Sequence, residues 1–116
     1  MDNVHEGDGY FGVSDAMIDT EAQTIIDWAK AYKLPTMFYQ QSVIAKGGLA
    51  TYTTDFKEGG RLSAKHVQRV LDGDSPSDLP VEGLDRLLFI INLSTAKQIG
   101  LVIPETILMR ADKAIE

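Results

Sequence analysis

Five consecutive apolar residues, Leu87 to Ile91, constrain the fold of this chain more than any other feature. A strand with one wet face alternates apolar and polar residues, whereas a strand covered on both faces is apolar throughout. The run therefore predicts a central strand between two layers of helices. We expect a charge placed at Phe89 to unfold the domain, because a buried charge needs a partner.

Shorter apolar segments before and after this run alternate between strand and helix patterns. Strands are predicted at 10–13, 36–39 and 49–54, and helices at 19–32, 42–45, 57–72, 92–99 and from Pro104 through Ile115. This alternation predicts an α/β fold with three layers (α/β/α) and a mostly parallel sheet, as a single domain over residues 1–116. Residues 1–9 are polar and rich in glycine, and are predicted to be disordered.

Charge and composition exclude several functions. With 11 Lys+Arg against 17 Asp+Glu, the net charge is −6. The chain has no cluster of Lys and Arg, so binding to nucleic acid is not predicted. The chain has no cysteine, and His5 and His66 stand far apart, so neither thiolate catalysis nor a metal site is predicted. No G-x-S-x-G or other catalytic spacing occurs. We therefore expect a protein that is not an enzyme and that uses no cofactor.

Polar and aromatic residues occur where the predicted strands end. In an open α/β sheet, ligands bind in the loops after the carboxyl ends of the strands. A carboxylate at such a loop can accept hydrogen bonds from an ammonium group, and aromatic and amide groups suit a flat polar ligand. For Ser14 and Asp15, the alternative role is that of a helix-capping pair. The predicted ligand-binding residues are Ser14, Asp15, Tyr39, Gln40, Tyr52 and Asp55.

Several motifs in a fixed order carry a family resemblance. They are Lys46 to Tyr52, Arg61 to Gly73, Pro76 to Glu82, Ile91 to Pro104, and Arg110-Ala111-Asp112. Together they resemble the carboxyl-terminal part of ABC-transporter substrate-binding proteins of the tryptophan/tyrosine-uptake type, which have the periplasmic binding protein class I fold. The resemblance runs from about Tyr10 to Glu116.

This resemblance implies a Rossmann-like lobe of a two-lobed solute-binding protein that works with an ABC permease outside the cytoplasm. Its ligand would be a small polar or amino-acid-like molecule, and hinge closure would signal binding. Members that bind amino acids often carry Asp-Asn after the first strand of this region, whereas here Asp15 precedes Ala16, which leaves the ligand open. The alternative function is a ligand-sensing or regulatory domain of a larger signalling protein.

Two further expectations depend on the two-lobed parent. The helix at 57–72 is expected to pack on the other lobe there, so its apolar side chains, Leu62, Val67, Val70 and Leu71, predict a homodimer of this chain. One wall of the cleft alone predicts weak ligand binding. The chain begins without the basic and apolar regions of a signal peptide, so we expect such a signal to be removed or to lie elsewhere.

Overall fold

A computed structural model describes residues 5–116 of the chain. The strands are β1 (Tyr10–Gly12), β2 (Thr36–Phe38), β3 (Ala50–Thr54), β4 (Leu87–Asn92) and β5 (Lys113–Ile115), and the helices are α1 (Ala16–Thr20), α2 (Ala22–Ala31), α3 (Ser42–Ala45), α4 (Phe56–Leu71), α5 (Leu93–Gln98) and α6 (Glu105–Leu108). A 3₁₀ turn spans Pro76–Asp78. Of the predicted disordered lead-in, residues 1–4 lie outside the described part of the chain, and Asp8 N donates to His5 O in a turn.

The chain divides into two compact units. The sheet unit comprises the described residues up to Thr53 together with Leu88–Glu116, and the helix unit comprises Thr54–Leu87. This division does not test whether residues 1–116 form a single domain, which stays a prediction from the sequence.

Three of the four strand pairings in the sheet are parallel. The strand order is β1-β2-β3-β4-β5, and β1–β2, β2–β3 and β4–β5 each run in the same direction. Gly12 of β1 stands opposite Phe38 of β2, and a Cβ there would lie 2.7 Å from the Phe38 ring. Glycine at this position therefore lets the two strands and the buried ring approach each other.

The central pairing, between β3 and β4, is antiparallel. Asn92 N donates to Leu49 O at 2.7 Å, which joins the end of β4 to the start of β3, and Asp55 N donates to Arg86 O at 3.2 Å at the opposite ends of these strands. The sheet is thus mixed but mostly parallel, as predicted. The antiparallel return also brings the amino end of β4 to the edge where β3 ends.

Helices cover both faces of the sheet. On one face, Ile26 of α2 and Val43 of α3 pack with Phe38 in a buried cluster. On the other face, Ala96 and Ile99, from α5 and its end, pack with Ala50. These two clusters confirm the predicted three-layer α/β/α architecture, because each supplies the apolar cover that one sheet face needs.

The apolar run does form a central strand, but only its carboxyl half is buried. β4 lies between β3 and β5, which confirms its predicted place. Ile90, Ile91 and Asn92 are buried, whereas Leu87 is 42% exposed and Phe89 is half-buried. The prediction that all five apolar residues are covered on both faces is therefore wrong for the amino half of the strand.

The predicted helix from Pro104 through Ile115 is wrong beyond Leu108. α6 ends there, and the chain turns so that Asp112 N donates to Phe89 O at 2.8 Å. The last residues then form β5 parallel to β4, with Ala114 opposite Ile91. A strand of three residues is too short to show a period of its own, and pairing with β4 overrides the local helical pattern.

The helix predicted at 19–32 is two helices, and its predicted start is wrong. α1 begins at Ala16, because the carboxylate of Asp15 accepts from Met17 N at 2.7 Å and caps it. α2 follows after Glu21 and ends at Ala31. Asp19 and Thr20, where the predicted helix starts, thus lie inside the first helix.

The helix unit is built on α4, which matches the predicted helix to within one residue at each end. None of its residues is buried. Side chains of α4 hold the segment that follows the 3₁₀ turn: Lys65 Nζ lies 3.1 Å from Glu82 Oε1, and His66 Nε2 lies 3.3 Å from Pro80 O. The other ring nitrogen of His66, Nδ1, lies 2.9 Å from Leu62 O.

The position of His66 predicts a pH-dependent contact in the helix unit. Both ring nitrogens face carbonyl oxygens, so both must donate, and only the imidazolium can do this. The hydrogen bond to Leu62 O, followed by that to Pro80 O, raises the pKa of His66 above 6.5. Protonation therefore favours the folded contact, which is complete below pH 6.5 and is lost as the pH rises through the folded-state pKa.

We expect the amide NMR signals of residues 81–86 to shift as the pH rises through that pKa, because this segment follows Pro80 and is released when His66 loses its proton. His66→Gln is expected to remove this pH dependence, because glutamine does not titrate. An unchanged pH dependence in the variant would contradict the role of His66.

Candidate functional site

The carboxyl ends of β1 and β2 lie side by side at one edge of the sheet. Gly12 and Phe38, the last residues of these strands, are paired with each other. Ser14-Asp15 and Tyr39-Gln40 follow them within three residues, so both loops leave the sheet at the same level. The structure thus brings together four of the six predicted ligand-binding residues at the edge where α/β sheets bind ligands.

Asp15 serves as a helix cap at this edge, which was the alternative role considered for it. Its Oδ1 accepts from Met17 N at 2.7 Å, and the residue is exposed. Within residues 5–116, its second carboxylate oxygen makes no hydrogen bond, so that oxygen is available to a donor from solution. Capping and ligand binding are therefore compatible at Asp15, because they use different oxygens.

Asp55, predicted from the end of β3, belongs to the helix unit and caps α4. Its Oδ1 accepts from Lys57 N at 3.1 Å and from Glu58 N at 3.3 Å. Aspartate is among the preferred residues at this position, because its side chain satisfies backbone N–H groups that lack a partner in the helix. The structure thus gives Asp55 a local role, and its predicted ligand role stays a prediction.

Tyr52 lies inside β3, not in the loop after it. Side chains alternate along a strand, so Tyr52 stands on the same sheet face as Ala50, which is opposite Met37 of β2. It is 53% exposed, and its ring meets Phe89 of β4 edge-on, with the ring centroids 6.0 Å apart. Tyr52 therefore stands on the sheet face of Ala50 and Met37 and contacts Phe89 of the next strand there.

Sequence reasoning missed two residues beside Tyr52. Phe89 was assigned to a fully covered strand, and Arg110 to a helix, yet both line a cavity with Tyr52. The Tyr52–Phe89 contact depends on the antiparallel register of β3 and β4, for which the spacing of residues along the chain carries no signal. Arg110 reaches the same place only because α6 stops early.

Neither a metal site nor a membrane span is found in residues 5–116. No three His, Asp or Glu side chains of this part are grouped so as to hold a metal ion. None of its helices has both the length and the apolar character needed to cross a bilayer.

Comparison with known families identifies the chain. Residues 2–115 match the family described as ABC transporter substrate binding protein. The chain belongs to this family. Substrate-binding proteins of ABC systems are binding proteins rather than enzymes and are extracytoplasmic. The resemblance drawn from the sequence motifs is thus confirmed, and so is the α/β fold that it implied.

Individual relatives of this substrate-binding family member are longer than the chain. It is 27% identical over 88 residues, 76% of its length, to a tyrosine-binding protein of Clostridioides difficile (strain R20291), and covers 26% of that protein. The crystal structure of an ABC domain in complex with L-Trp from Streptococcus pneumoniae aligns with a TM-score of 0.82 at 27% identity, over 95% of this chain and 37% of that one. A conserved domain protein from Vibrio cholerae aligns with a TM-score of 0.79 at 27% identity, over 90% of this chain and 35% of that one.

Proposed function

We propose that the chain is the part of an ABC uptake transporter's solute-binding component that contributes one wall of the ligand site. The observation that carries this proposal is the family match together with the common edge at which β1 and β2 end. Ser14, Asp15, Tyr39 and Gln40 stand at that edge and hold the solute. The ligand roles of Tyr52 and Asp55 stay predictions.

The groups at this edge suit a small polar or amino-acid-like solute. The second oxygen of Asp15 can accept hydrogen bonds from an ammonium group, and such charge-assisted bonds are stronger than neutral ones. The Tyr39 ring offers an apolar wall, and the Gln40 amide offers one acceptor and two donors. The relatives named for tyrosine and bound to L-Trp support an amino acid as the first ligand to test.

The remaining parts of the proposal concern partners and place. An ABC permease receives the solute, the protein acts outside the cytoplasm, and the chain catalyses no reaction.

We also propose that the chain forms a homodimer. This is supported by the exposed apolar side chains of α4, since Val67 is 58% exposed and Leu71 is 77% exposed, and such surface gains from burial.

Replacing Asp15 tests the proposed site. We expect L-tryptophan to bind more weakly than micromolar, because good pockets bury most of a ligand and one wall cannot. Asp15→Asn keeps the helix cap, since asparagine caps as well as aspartate, but loses the charge that faces the ammonium. The affinity measured by calorimetry is expected to fall about fivefold, as for the loss of one exposed charge-assisted hydrogen bond.

Asp27→Asn is the matched control, because it removes the same charge from an exposed position on α2. This variant is expected to bind as the unchanged chain does. Equal affinities of the Asp15 variant and the unchanged chain, or no binding at all at millimolar L-tryptophan, would contradict the proposal.

A further inference from the structure

A cavity of about 490 Å³ opens on the sheet face that α5 and α6 cover. Five residues line it: Met37, Tyr52, Phe89, Ile107 and Arg110. We call it the Tyr52 pocket. Its volume falls within the range of small-molecule sites, and its wall is apolar and aromatic except for one cation, which is the usual composition of such sites.

The fold holds these side chains together by backbone contacts. Met37 and Tyr52 stand on the same face of neighbouring strands, and the Tyr52 and Phe89 rings meet with an interplanar angle of 66°. Asp112 N donates to Phe89 O at 2.8 Å, and Phe89 N donates to Asp112 Oδ2 at 2.8 Å. This pair of hydrogen bonds fixes the turn that carries Arg110 beside β4.

The guanidinium of Arg110 has no ion-pair or side-chain hydrogen-bond partner in the described part of the chain, residues 5–116. The ion pairs found there use Arg61, Lys65 and Arg69 instead. The neighbouring carboxylate of Asp112 already accepts from Phe89 N. In a chain of net charge −6, Arg110 is thus a cation without an assigned anion, at the rim of an aromatic pocket.

Two large apolar side chains of the pocket are also partly exposed to solvent. Tyr52 is 53% exposed and Ile107 is 42% exposed, so a ligand that covers them removes apolar surface from water. An aromatic ring would pack against the Tyr52–Phe89 pair, since aromatic pairs prefer edge-to-face and offset arrangements. A carboxylate on the same molecule would reach the fork of Arg110, which binds carboxylates through two parallel hydrogen bonds.

We propose that the Tyr52 pocket binds a small carboxylate with an aromatic body, the ring lying on Tyr52 and Phe89 and the carboxylate pairing with Arg110. Its lining includes none of Ser14, Asp15, Tyr39 and Gln40, and its ligand needs no ammonium group. It therefore does not rest on the function proposed above.

The test uses 3-phenylpropionate as the probe and its neutral amide, 3-phenylpropanamide, as the matched ligand. Titration of the ¹⁵N-labelled chain is expected to shift the amide signals of Tyr52, Phe89 and Arg110, with the carboxylate binding about tenfold more tightly than the amide. In Arg110→Gln, the affinity for 3-phenylpropionate is expected to fall about tenfold, while the affinity for the amide stays unchanged.

Lys113→Gln is the control for a general effect of charge, since it removes one positive charge from an exposed position three residues away. It is expected to leave both affinities unchanged. Equal binding of the acid and the amide, an equal loss in the Lys113 and Arg110 variants, or shifts confined to Ser14, Asp15 and Tyr39 would each overturn the proposal. Asp15→Asn is expected to have no effect on 3-phenylpropionate, so failure of this site and failure of the proposed solute site give different results.

Discussion

Ile91→Asp is expected to unfold the sheet unit. Ile91 is 2% exposed and lies in β4, between β3 and β5, opposite Ala114 of β5. Burying an unpaired carboxylate is among the few changes that cost more than about 4 kcal/mol, which is a large part of the stability of an ordinary domain. Urea unfolding followed by circular dichroism measures the loss.

Leu87→Asp is the matched control, because it introduces the same charge at the other end of the same strand. Leu87 is 42% exposed, so its carboxylate stays in water and the free energy of unfolding is expected to change by less than about 1 kcal/mol. Similar losses in the two variants would contradict the finding that only the carboxyl half of β4 is buried.

Asn92→Ala is expected to lower the free energy of unfolding by about 2–4 kcal/mol, since it removes a helix cap and a buried hydrogen bond at once. Asn92 is 8% exposed, and its Oδ1 accepts from Thr95 N at 3.1 Å at the start of α5. Its Nδ2 donates to Ile44 O at 3.1 Å at the end of α3. Alanine leaves Thr95 N without its capping acceptor in a buried place, whereas Ile44 O loses the contact with Asn92 and keeps the hydrogen bond from Gly47 N at 3.0 Å.

Ser94→Ala separates this effect from a change in helix propensity. Ser94 is exposed on the same helix, and its replacement is expected to change the free energy of unfolding by less than about 0.5 kcal/mol. An Asn92→Ala loss no larger than that of Ser94→Ala would contradict the tether between α5 and α3.

Elements that are fixed by local chemistry could be predicted from the sequence. α5 begins at Leu93 because Asn92 caps it, and it ends before Gly100, whose φ of 73° favours glycine. α3 spans Ser42–Ala45 as predicted, and α4 differs by one residue at each end. In these cases the residues that start or stop the element lie next to it in the chain.

Elements that depend on distant pairing could not be predicted. β5 exists through its pairing with β4, and its three residues follow a stretch with helical spacing. The antiparallel return of β4 beside β3 is likewise invisible in the order of strands and helices, which alone favours parallel neighbours. The antiparallel direction of β4 beside β3 is therefore set by the tertiary pairing of these strands and not by the local sequence.

The same division holds for the candidate site residues. The common position of Ser14, Asp15, Tyr39 and Gln40 after two neighbouring strands could be predicted, because strand ends can be read from local patterns and parallel strands place their ends together. Their ligand role stays a prediction. The cavity around Tyr52 was missed because it needs the β3–β4 register and the early end of α6. A capping role for Asp15 was predicted only as an alternative, since a cap and a ligand carboxylate use the same residue types.

The most direct test of the solute-binding account is an amide-resolved titration of the ¹⁵N-labelled chain with L-tryptophan, recorded for the unchanged chain and for Arg110→Gln. The Arg110 variant removes the carboxylate partner of the Tyr52 pocket, so the remaining shifts report the sheet edge. The account predicts that the signals of Ser14, Asp15, Tyr39 and Gln40 move together, with one affinity, in both proteins. The account would be contradicted if L-tryptophan shifted other signals but not these four, or if all shifts disappeared in the Arg110 variant.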